Sequence, residues 1–534
     1  MHDDEPTIGS VMAVREAHSD TLVVGVGRIP SAPTTPTSPL QRLVRRPLTD
    51  RARSWVVTLS LTLIAALVRL WNLGYPTDRG TPVFDEKHYA PQAWQMLRTG
   101  GVEDNAGYEL VVHPPLGKQL IALGEMLMGY DSWGWRLSAA LAGTVCVLLI
   151  VRIVRRMTGS TLLGGIAGVL LIADGVSQVQ SRIGMLDIFF AMFILAAFGC
   201  LIIDREQVRE RLATVIRESR VADTDFGPRL GVRWWRFAAG ILLGLACGTK
   251  WSAVYYLIAF AGLVLVWDAC ARRTAGVRRP WAGTLARDLG PASWAMALVP
   301  VGAYLATWWA WLRSETGIDR HAVGHQIGTD GPFSFVPAAL RSLWYYSAAI
   351  LRFHENLVTP AHPHPWESKP WSWPMGLRPM LYYYESGAAA PGCGRPGCVA
   401  SVMLVGTPAM WWLTLPVLVW ALWRAVTGPD WRYAAVLTGY AAGWLPWFLN
   451  IHRQMYFFYM TPVAPFLVIA VTLVLGEILG RARDGAERRG TGLLVVSLYV
   501  GLVVANFIWL WPILTGGSIT PEHWNAELWL PSWR

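Results

Sequence analysis

The chain has 534 residues, of which 53% are hydrophobic and only 15% are charged. Soluble domains carry about 25% charged residues, so the composition excludes an ordinary soluble protein and predicts many membrane spans. The net charge of +10 (46 basic minus 36 acidic residues) lies largely in short arginine-rich loops between apolar runs. That distribution is typical of orientation in a bilayer, so we predict no nucleic-acid partner.

The chain divides into a polar N-terminal segment and a long apolar remainder. Residues 1–50 are rich in Pro, Thr, Ser and Arg without periodicity, so we predict a disordered cytoplasmic tail. Residues 51–534 are predicted to form one all-α membrane domain. Its eleven apolar runs are mostly near the roughly 20 residues that a bilayer requires: 55–73, 133–154, 160–174, 184–203, 236–249, 251–269, 290–311, 402–423, 432–449, 456–478 and 491–512.

Arginine-rich loops predict the orientation of these spans. With the N-terminus in the cytoplasm, the inner loops are basic, as the positive-inside rule requires: 152–156, 205–236, 272–287 and 481–489. We therefore predict a multi-pass protein of the plasma membrane with its functional site on the outer face. Outer loop 74–132 contains predicted surface helices at 91–97 and 116–128. Outer loop 313–401 is rich in Trp, Tyr, His and Pro, which makes it a candidate binding lid.

Three carboxylates stand near the outer ends of predicted spans. Asp85 and Glu86 are adjacent and follow the first span. They are either solvated residues at the membrane rim or a proton-handling site. Asp187 lies about one turn inside its span, where an unpaired carboxylate is costly, so a structural ion pair is its favoured role.

Positive residues also collect at the outer ends, where the positive-inside rule does not explain them. In the segment His113-Pro-Pro-Leu-Gly-Lys118, a helix start with a lysine on its first turn suits an anion, although a lysine reaching towards water is an equal alternative. A lipid phosphate at the membrane boundary would explain the excess charge, and the carboxylate pair then becomes a candidate general base for group transfer. No Gly-rich nucleotide loop occurs, which favours a lipid-linked donor. The further cationic candidates are Arg136, Arg182, Lys250, His452 and Arg453.

Two cysteines differ from the other four, which lie in or beside apolar runs. Cys393 and Cys398 flank a Pro- and Gly-rich loop and either form a disulfide on an oxidising face or bind a metal with two further ligands. We favour the disulfide because no second cysteine pair is available. Glu86, His88 and His452 could assemble a divalent-ion site, but the sequence gives no ligand spacing from which to infer one, so no metal and no other cofactor is assigned.

Five motifs stand in order along the chain: Phe84-Asp-Glu-Lys-His-Tyr89, His113-Pro-Pro-Leu-Gly-Lys118, Trp135-Arg-Leu-Ser138, Ser181-Arg182 with Leu186-Asp187, and Gly248-Thr-Lys-Trp-Ser252. Together they resemble the protein O-mannosyltransferase family, which consists of membrane enzymes of the GT-C class. The Arg- and Trp-rich composition resembles the actinobacterial branch. The resemblance extends from about residue 55 to the end of the chain. Loop 313–401 is too short for the soluble β-trefoil domain of the eukaryotic relatives.

The resemblance implies a GT-C fold with about eleven transmembrane helices. It also implies transfer of mannose from polyprenyl-phosphate-mannose to Ser or Thr hydroxyls of exported proteins, with inversion at the anomeric carbon. Asp85 would be the catalytic base, and Glu86 would position the acceptor or the sugar. The residues that would bind the lipid phosphate or line its cavity are Arg136, Arg182, Lys250, Arg453, His113, Lys118 and His452.

Partners and alternatives follow from the same resemblance. The expected partners are the lipid donor, exported protein acceptors and the bilayer, and we keep proximity to the secretion translocon open because acceptors must enter unfolded. An alternative enzyme of the same fold would use a lipid or glycan acceptor. A lipid flippase or transporter is disfavoured, because it would place charges near the middle of the spans and show two related halves.

Overall fold

The computed structural model describes residues 39–43, 49–104, 112–218, 225–387, 390, 393, 397–480 and 484–534. Most of the predicted tail therefore lies outside the described residues. The first helices are α1 (Pro39–Leu43), α2 (Arg51–Leu70), α3 (Glu86–Arg98), α4 (Leu116–Met128), α5 (Ser132–Thr158), α6 (Thr161–Ile172), α7 (Gly175–Gln180), α8 (Asp187–Arg217), α9 (Trp234–Thr249), α10 (Ala253–Thr274) and α11 (Pro280–Arg287).

The second half continues with α12 (Leu289–Ser293), α13 (Val299–Thr307), α14 (Trp309–Arg313), α15 (Ala338–Asn356), α16 (Pro408–Trp411), α17 (Thr414–Thr427), α18 (Trp431–Trp444), α19 (Ala464–Leu479), α20 (Ala486–Trp509), α21 (Trp511–Thr515) and α22 (Pro521–Glu527). A π-helical turn, Trp294–Leu298, joins α12 to α13. Short 3₁₀ helices cover Pro370–Ser372, Leu445–Asn450, Phe457–Met460 and Pro531–Trp533.

Each of the eleven predicted apolar runs contains helical structure, although several are broken and run 402–423 begins as a strand. Among the described residues, seven helices are long and apolar enough to cross a membrane: Arg51–Leu70, Ser132–Thr158, Asp187–Arg217, Ala253–Thr274, Leu289–Thr307, Pro408–Thr427 and Ala486–Trp509. The helices of the other four runs are shorter: Thr161–Ile172, Trp234–Thr249, Trp431–Trp444 and Ala464–Leu479. The prediction of a largely helical membrane protein is therefore confirmed.

Residues 39–43 differ from the predicted disordered tail. They form a helical turn whose Leu43 packs against Val208 and Leu212 of α8. The next helix begins at Arg51, four residues before the predicted apolar run. The tail prediction is therefore wrong at these positions. Apolar side chains of this turn pack against α8, a contact that the composition of the segment does not reveal.

Helix α5 lies at the centre of the bundle and packs against α2, α4, α6 and α8. Its boundaries follow from local chemistry. Asp131 Oδ1 accepts a hydrogen bond of 2.8 Å from the Gly134 N–H at the start, and Gly159 ends the helix at a φ of 73°. Ser160 then caps α6 by accepting from the Leu163 N–H. The two helices consequently form a tight antiparallel pair.

A small antiparallel sheet adds to the helical architecture that the sequence predicted. Strands β1 (Met380–Ser386), β2 (Val399–Leu404) and β3 (Ser518–Ile519) pair in the order β1-β2-β3. Strand β2 is buried throughout and occupies the start of the apolar run 402–423, which we had predicted to be helical. A buried strand and a buried helix share the same apolar composition over a short run, so the pattern does not separate them.

Candidate active site

A cavity of about 590 Å³ opens between the loop that follows α2, the ends of α8, α9 and α15, and the segment 442–462. Aromatic side chains make up much of its wall, including Tyr89, Tyr256, Trp447 and Tyr459. The charged residues of the lining are Asp85, Asp187, Lys250, Glu355 and Arg453. Apolar walls with a few convergent charged groups are the usual composition of a substrate site.

Asp85 lies at the N-cap of α3 and lines the cavity. Burial raises the pKa of its carboxyl to about 6, an effect that the positive charge of Lys250 opposes and the negative charge of Asp187 reinforces. The preceding residue, Phe84, has a φ of 51°, in the left-handed region that costs an L-residue roughly 1–2 kcal/mol. A strained backbone therefore sets the direction of a carboxylate that is suited to accept a proton near neutral pH.

Glu86 turns away from the cavity and is fully buried. Its carboxylate pairs with Arg136 through Nε–Oε1 and Nη2–Oε2 distances of 2.7 and 2.8 Å, and it also accepts the N–H groups of Val83 and Gly184. A Cβ on Gly184 would lie 2.9 Å from the Trp135 carbonyl oxygen, so the close approach requires glycine. Glu86 is thus an anchor of the Asp85 loop.

Arg136 is anchored in the same way, which revises the role that we had predicted for it. Besides the Glu86 pair, its guanidinium donates to the Leu73 and Pro76 carbonyl oxygens at 3.1 and 2.7 Å. The side chain is fully buried and lies outside the cavity lining. These acceptors engage the guanidinium, so we assign Arg136 to holding segment 73–86 and Glu86 to the same task rather than to positioning the sugar.

Arg182 is revised likewise. Its guanidinium donates to the carbonyl oxygens of Arg69, Trp71 and Asn72 at 2.9, 2.5 and 3.0 Å. These carbonyls belong to the C-terminal end of α2, where cations are favoured because the last carbonyl groups lack helical partners. Arg182 therefore caps α2 and lies outside the cavity lining.

Lys250 and Asp187 form the ion pair at the base of the cavity. The Lys250 Nζ lies 2.9 and 2.8 Å from the two carboxylate oxygens of Asp187, and Phe458 and Tyr459 present their rings to the ammonium group at 5.5 and 6.0 Å. Both charged side chains are buried but contact the cavity. Asp187 thus has the cationic partner that the sequence called for, and that partner remains in reach of a ligand anion.

Arg453 also lines the cavity, together with two histidines, and its Nη2 donates to the Tyr459 hydroxyl at 3.4 Å. Its Nη1 donates to the His354 carbonyl oxygen at 2.9 Å, and its Nη2 lies 3.3 Å from His354 Nδ1. His354 Nε2 lies 2.9 Å from the Val112 carbonyl oxygen, so the proton belongs on Nε2 and Nδ1 accepts. Burial and the charge of Arg453 lower the pKa of His354 to about 4, and burial followed by the charge of Lys250 holds that of His113 well below its usual range. Both imidazoles are neutral at pH 7.

Lys118 and His452, the remaining cavity candidates, lie elsewhere. Lys118 is buried in α4 and forms an ion pair with Glu103, outside the cavity lining. His452 is exposed, and its carbonyl oxygen accepts the Thr359 N–H. The sequence indicated Lys118 as a lysine on the first turn of a helix and His452 as one of the positive residues at the outer face. A position at a helix start or near the outer face does not set the direction of a side chain, which here depends on its packing.

The comparisons with known proteins agree with this architecture. Residues 59–134 and 130–310 match the family of dolichyl-phosphate-mannose-protein mannosyltransferases, and 339–533 match the C-terminal four-helix region of protein-O-mannosyltransferase. A polyprenol-phosphate-mannose–protein mannosyltransferase of Mycobacterium tuberculosis is 55% identical over 524 residues, which cover 98% of this chain and all of that protein. The chain belongs to the protein O-mannosyltransferase family.

Further relatives of this protein O-mannosyltransferase extend the comparison. The proteins of the same name from Mycolicibacterium smegmatis and Corynebacterium glutamicum are 57% and 43% identical over 91% and 90% of this chain, and the matched parts cover 94% and 93% of those proteins. The Saccharomyces cerevisiae Pmt1–Pmt2 complex bound to the sugar donor has a TM-score of 0.67 at 15% identity, covering 90% of this chain and 93% of that one. The predicted GT-C fold and actinobacterial branch are therefore confirmed.

Two residues near the Asp85 segment were not singled out by the sequence: His354, which lines the cavity, and Tyr382, which does not. His354 comes from the middle of loop 313–401, and Tyr382 comes from β1, where its ring stacks on Phe84 at 4.3 Å. The elements that carry them were predicted as a candidate lid without individual roles. Only long-range packing brings them to Asp85, so no local pattern marks them.

Two further predictions concerned the paired cysteines and a metal site. Cys393 and Cys398 form a disulfide between β1 and β2. Throughout the described parts of the chain, no three side chains of His, Cys, Asp or Glu come together as a group that could hold a metal ion. Of the three metal candidates, Glu86 has its carboxylate committed to Arg136 and to two backbone N–H groups.

Proposed function

We propose that this enzyme transfers mannose from polyprenyl-phosphate-mannose to Ser or Thr hydroxyls of exported proteins, with inversion at the anomeric carbon. The observation that carries the proposal is the cavity, in which the Asp85 carboxylate shares one space with the cations Lys250 and Arg453. The names of relatives with more than 40% identity over nine-tenths of the chain support the donor and the acceptor class.

Each group has a defined part in the reaction. Asp85 accepts the proton of the acceptor hydroxyl while that oxygen forms a bond to the anomeric carbon of mannose. The bond from that carbon to the phosphate oxygen breaks on the opposite side, which inverts the centre. Lys250 and Arg453 neutralise the charge that develops on the departing polyprenyl phosphate, so the leaving group needs no proton. The neutral His113 and His354 form polar walls of the cavity.

The proposal includes an orientation in the membrane. The basic loops predicted to lie inside support an N-terminus in the cytoplasm and a cavity on the outer face of the plasma membrane. An extended segment would bring a Ser or Thr side chain to Asp85 most readily, because Asp85 lies in a cavity lined largely by aromatic side chains. We therefore propose that acceptors are modified while unfolded, near the secretion translocon.

The test is transfer of radiolabelled mannose from polyprenyl-phosphate-mannose to a Ser/Thr/Pro-rich peptide by the purified enzyme in liposomes. We expect wild type to label the peptide and Asp85→Asn to lose at least a hundredfold in rate, the usual range for a removed general base. Asp78→Asn is the matched control, because Asp78 is an exposed residue of the same loop. Labelled lipid or glycan without labelled peptide would contradict the acceptor class, and an active Asp85→Asn would contradict the catalytic base.

A further inference from the structure

Strand β1 contains an irregularity at the point where it passes the Asp85 loop. Leu381 pairs with Met403 and Tyr383 pairs with Val402, so Tyr382 is an extra residue that has no partner of its own on β2. Such a β-bulge interrupts the alternation of side chains between the two faces of a strand. As a result, Tyr382 and Tyr383 are both buried, whereas Tyr384 is 47% exposed.

The bulge directs two consecutive tyrosines at the segment before α3. The Tyr382 ring stacks on Phe84 with 4.3 Å between centroids and 13° between planes, and the Tyr383 ring meets Tyr75 edge-on at 6.4 Å. Gln180, at the end of α7, donates a hydrogen bond of 2.8 Å from Nε2 to the Tyr382 hydroxyl oxygen. Tyr382 is therefore held at its hydroxyl end and pressed against Phe84 along its ring.

Phe84 needs such a contact, because its φ of 51° lies in a region of backbone conformation that aromatic residues rarely adopt. Its ring is packed between Tyr382 on one face and Phe458 at 6.1 Å, edge-on. Glu86 fixes the chain on the other side of Asp85 through Arg136 and Gly184. Asp85 thus lies between two anchored neighbours. On the Phe84 side, the Lys87 N–H donates to the Phe84 carbonyl oxygen at 3.2 Å and the Val83 N–H donates to Glu86 Oε2 at 3.1 Å. The Phe84 side chain itself is held by aromatic packing.

We propose that Tyr382 is a positioning residue of this mannosyltransferase, which holds Phe84 in its left-handed conformation and so directs the Asp85 carboxylate into the cavity. Tyr382 lies behind the cavity wall and does not line the cavity, so it acts through Phe84 rather than on the substrate. Loss of the stack lets Phe84 relax to a negative φ. The peptide before Asp85 then rotates and moves the carboxylate away from the position in which it accepts the proton of the acceptor hydroxyl. The structural role of Tyr382 stands by itself, and only its expected effect on catalysis rests on the proposed function.

The kinetic test compares Tyr382→Leu with wild type in the liposome assay. We expect kcat to fall by 10- to 100-fold while the KM for the polyprenyl-phosphate-mannose stays within threefold, because the misplaced group is the base and not the phosphate cations. Phe84→Leu should show the same loss, and the double variant should lose no more than the worse single variant. Retention of more than half of kcat by Tyr382→Leu, or multiplied losses in the double variant, would overturn the role.

Two matched variants separate positioning from a general loss of structure. Tyr382→Phe keeps the ring and removes only the hydroxyl held by Gln180, so we expect kcat within threefold of wild type. Tyr384→Leu changes the adjacent exposed tyrosine, which packs on Trp524 and not on the Asp85 loop, and should also leave kcat unchanged. Should Tyr382→Leu not yield folded protein, Phe84→Leu tests the same contact from its half-buried side.

A second measurement does not depend on transfer at all. In an Asp85→Cys background, the rate at which a small polar maleimide labels position 85 reports whether that side chain faces the cavity, with mass spectrometry of the peptide distinguishing it from the other cysteines. We expect Tyr382→Leu to slow labelling at least fivefold and Tyr384→Leu to leave it unchanged. An unchanged rate in Tyr382→Leu would overturn the positioning role. Failure of wild type to transfer mannose would contradict the proposed function and leave this test in force.

Discussion

The Lys250 ammonium group lies between the two carboxylate oxygens of Asp187, at 2.9 and 2.8 Å, at the base of the cavity that Asp85 lines. Asp187 is the first residue of α8 and Lys250 follows the last residue of α9. The positive end of one helix dipole therefore stabilises the carboxylate, and the negative end of the other stabilises the ammonium group. A cation held in this way is available to an anionic ligand without carrying an uncompensated charge when the cavity is empty.

We predict that the two members of this pair have separable effects on stability and activity. Asp187→Asn should lower the free energy of unfolding by about 3–5 kcal/mol, because it leaves a buried ammonium group unpaired. The double change Asp187→Leu with Lys250→Leu should regain most of that stability but remain without transfer activity. Thermal unfolding in detergent and the mannose transfer assay measure the two effects. Transfer by the double variant would show that Lys250 does not serve the phosphate.

The buried pair of Glu86 and Arg136 should matter chiefly for folding. Arg136→Lys keeps the charge but loses the two-pronged geometry and the bonds to two carbonyl oxygens, so we expect it to lower the unfolding free energy by roughly 3 kcal/mol. The exposed pair of Arg279 and Asp225 provides the control, since Arg279→Ala should change stability by less than about 1 kcal/mol. Equal melting temperatures for the two variants would contradict the anchoring role.

Two arginines that the sequence treated alike should respond differently. Arg182→Gln removes hydrogen bonds to three carbonyls at the end of α2, so it should lower stability by about 1–3 kcal/mol and leave the donor KM within twofold. Arg453→Gln removes a cation of the cavity and should lower kcat/KM by roughly 10²-fold. Steady-state kinetics with polyprenyl-phosphate-mannose distinguish the two. A large rise in donor KM for Arg182→Gln would restore its predicted role at the phosphate.

The pKa of Asp85 predicts an acid limb in the pH profile. Burial raises the pKa of the carboxyl to about 6. Below that pH the group holds a proton and cannot accept another, so kcat/KM should fall about tenfold per pH unit below 6 and level off above about pH 7. Rates measured between pH 4.5 and 8 test this, with Tyr384→Leu as an unaffected comparison. A profile without an acid limb would exclude Asp85 as the base.

The sequence by itself determined the class of protein and the family. All eleven predicted apolar runs contain helical segments, because a bilayer favours elements whose backbone hydrogen bonds are satisfied internally, although run 402–423 begins as strand β2. Asp85, the candidate catalytic base, lines the cavity. Lys250 and Arg453 line the cavity as well. The family resemblance and the excess positive charge at the outer ends of the spans had both indicated these two residues as candidates.

Tertiary structure decided which of the similar charges serve the substrate. Arg136, Arg182 and Arg453 all carry a guanidinium group. The N–H groups of Arg136 and Arg182 donate to Glu86 and to backbone carbonyl oxygens away from the cavity. The direction in which each side chain points depends on neighbours that are distant in sequence. The small sheet was also decided there, because pairing of β1 with β2 and the bulge at Tyr382 follow from long-range contacts. Composition locates charge near the membrane, whereas only packing determines whether that charge is satisfied internally or faces the cavity.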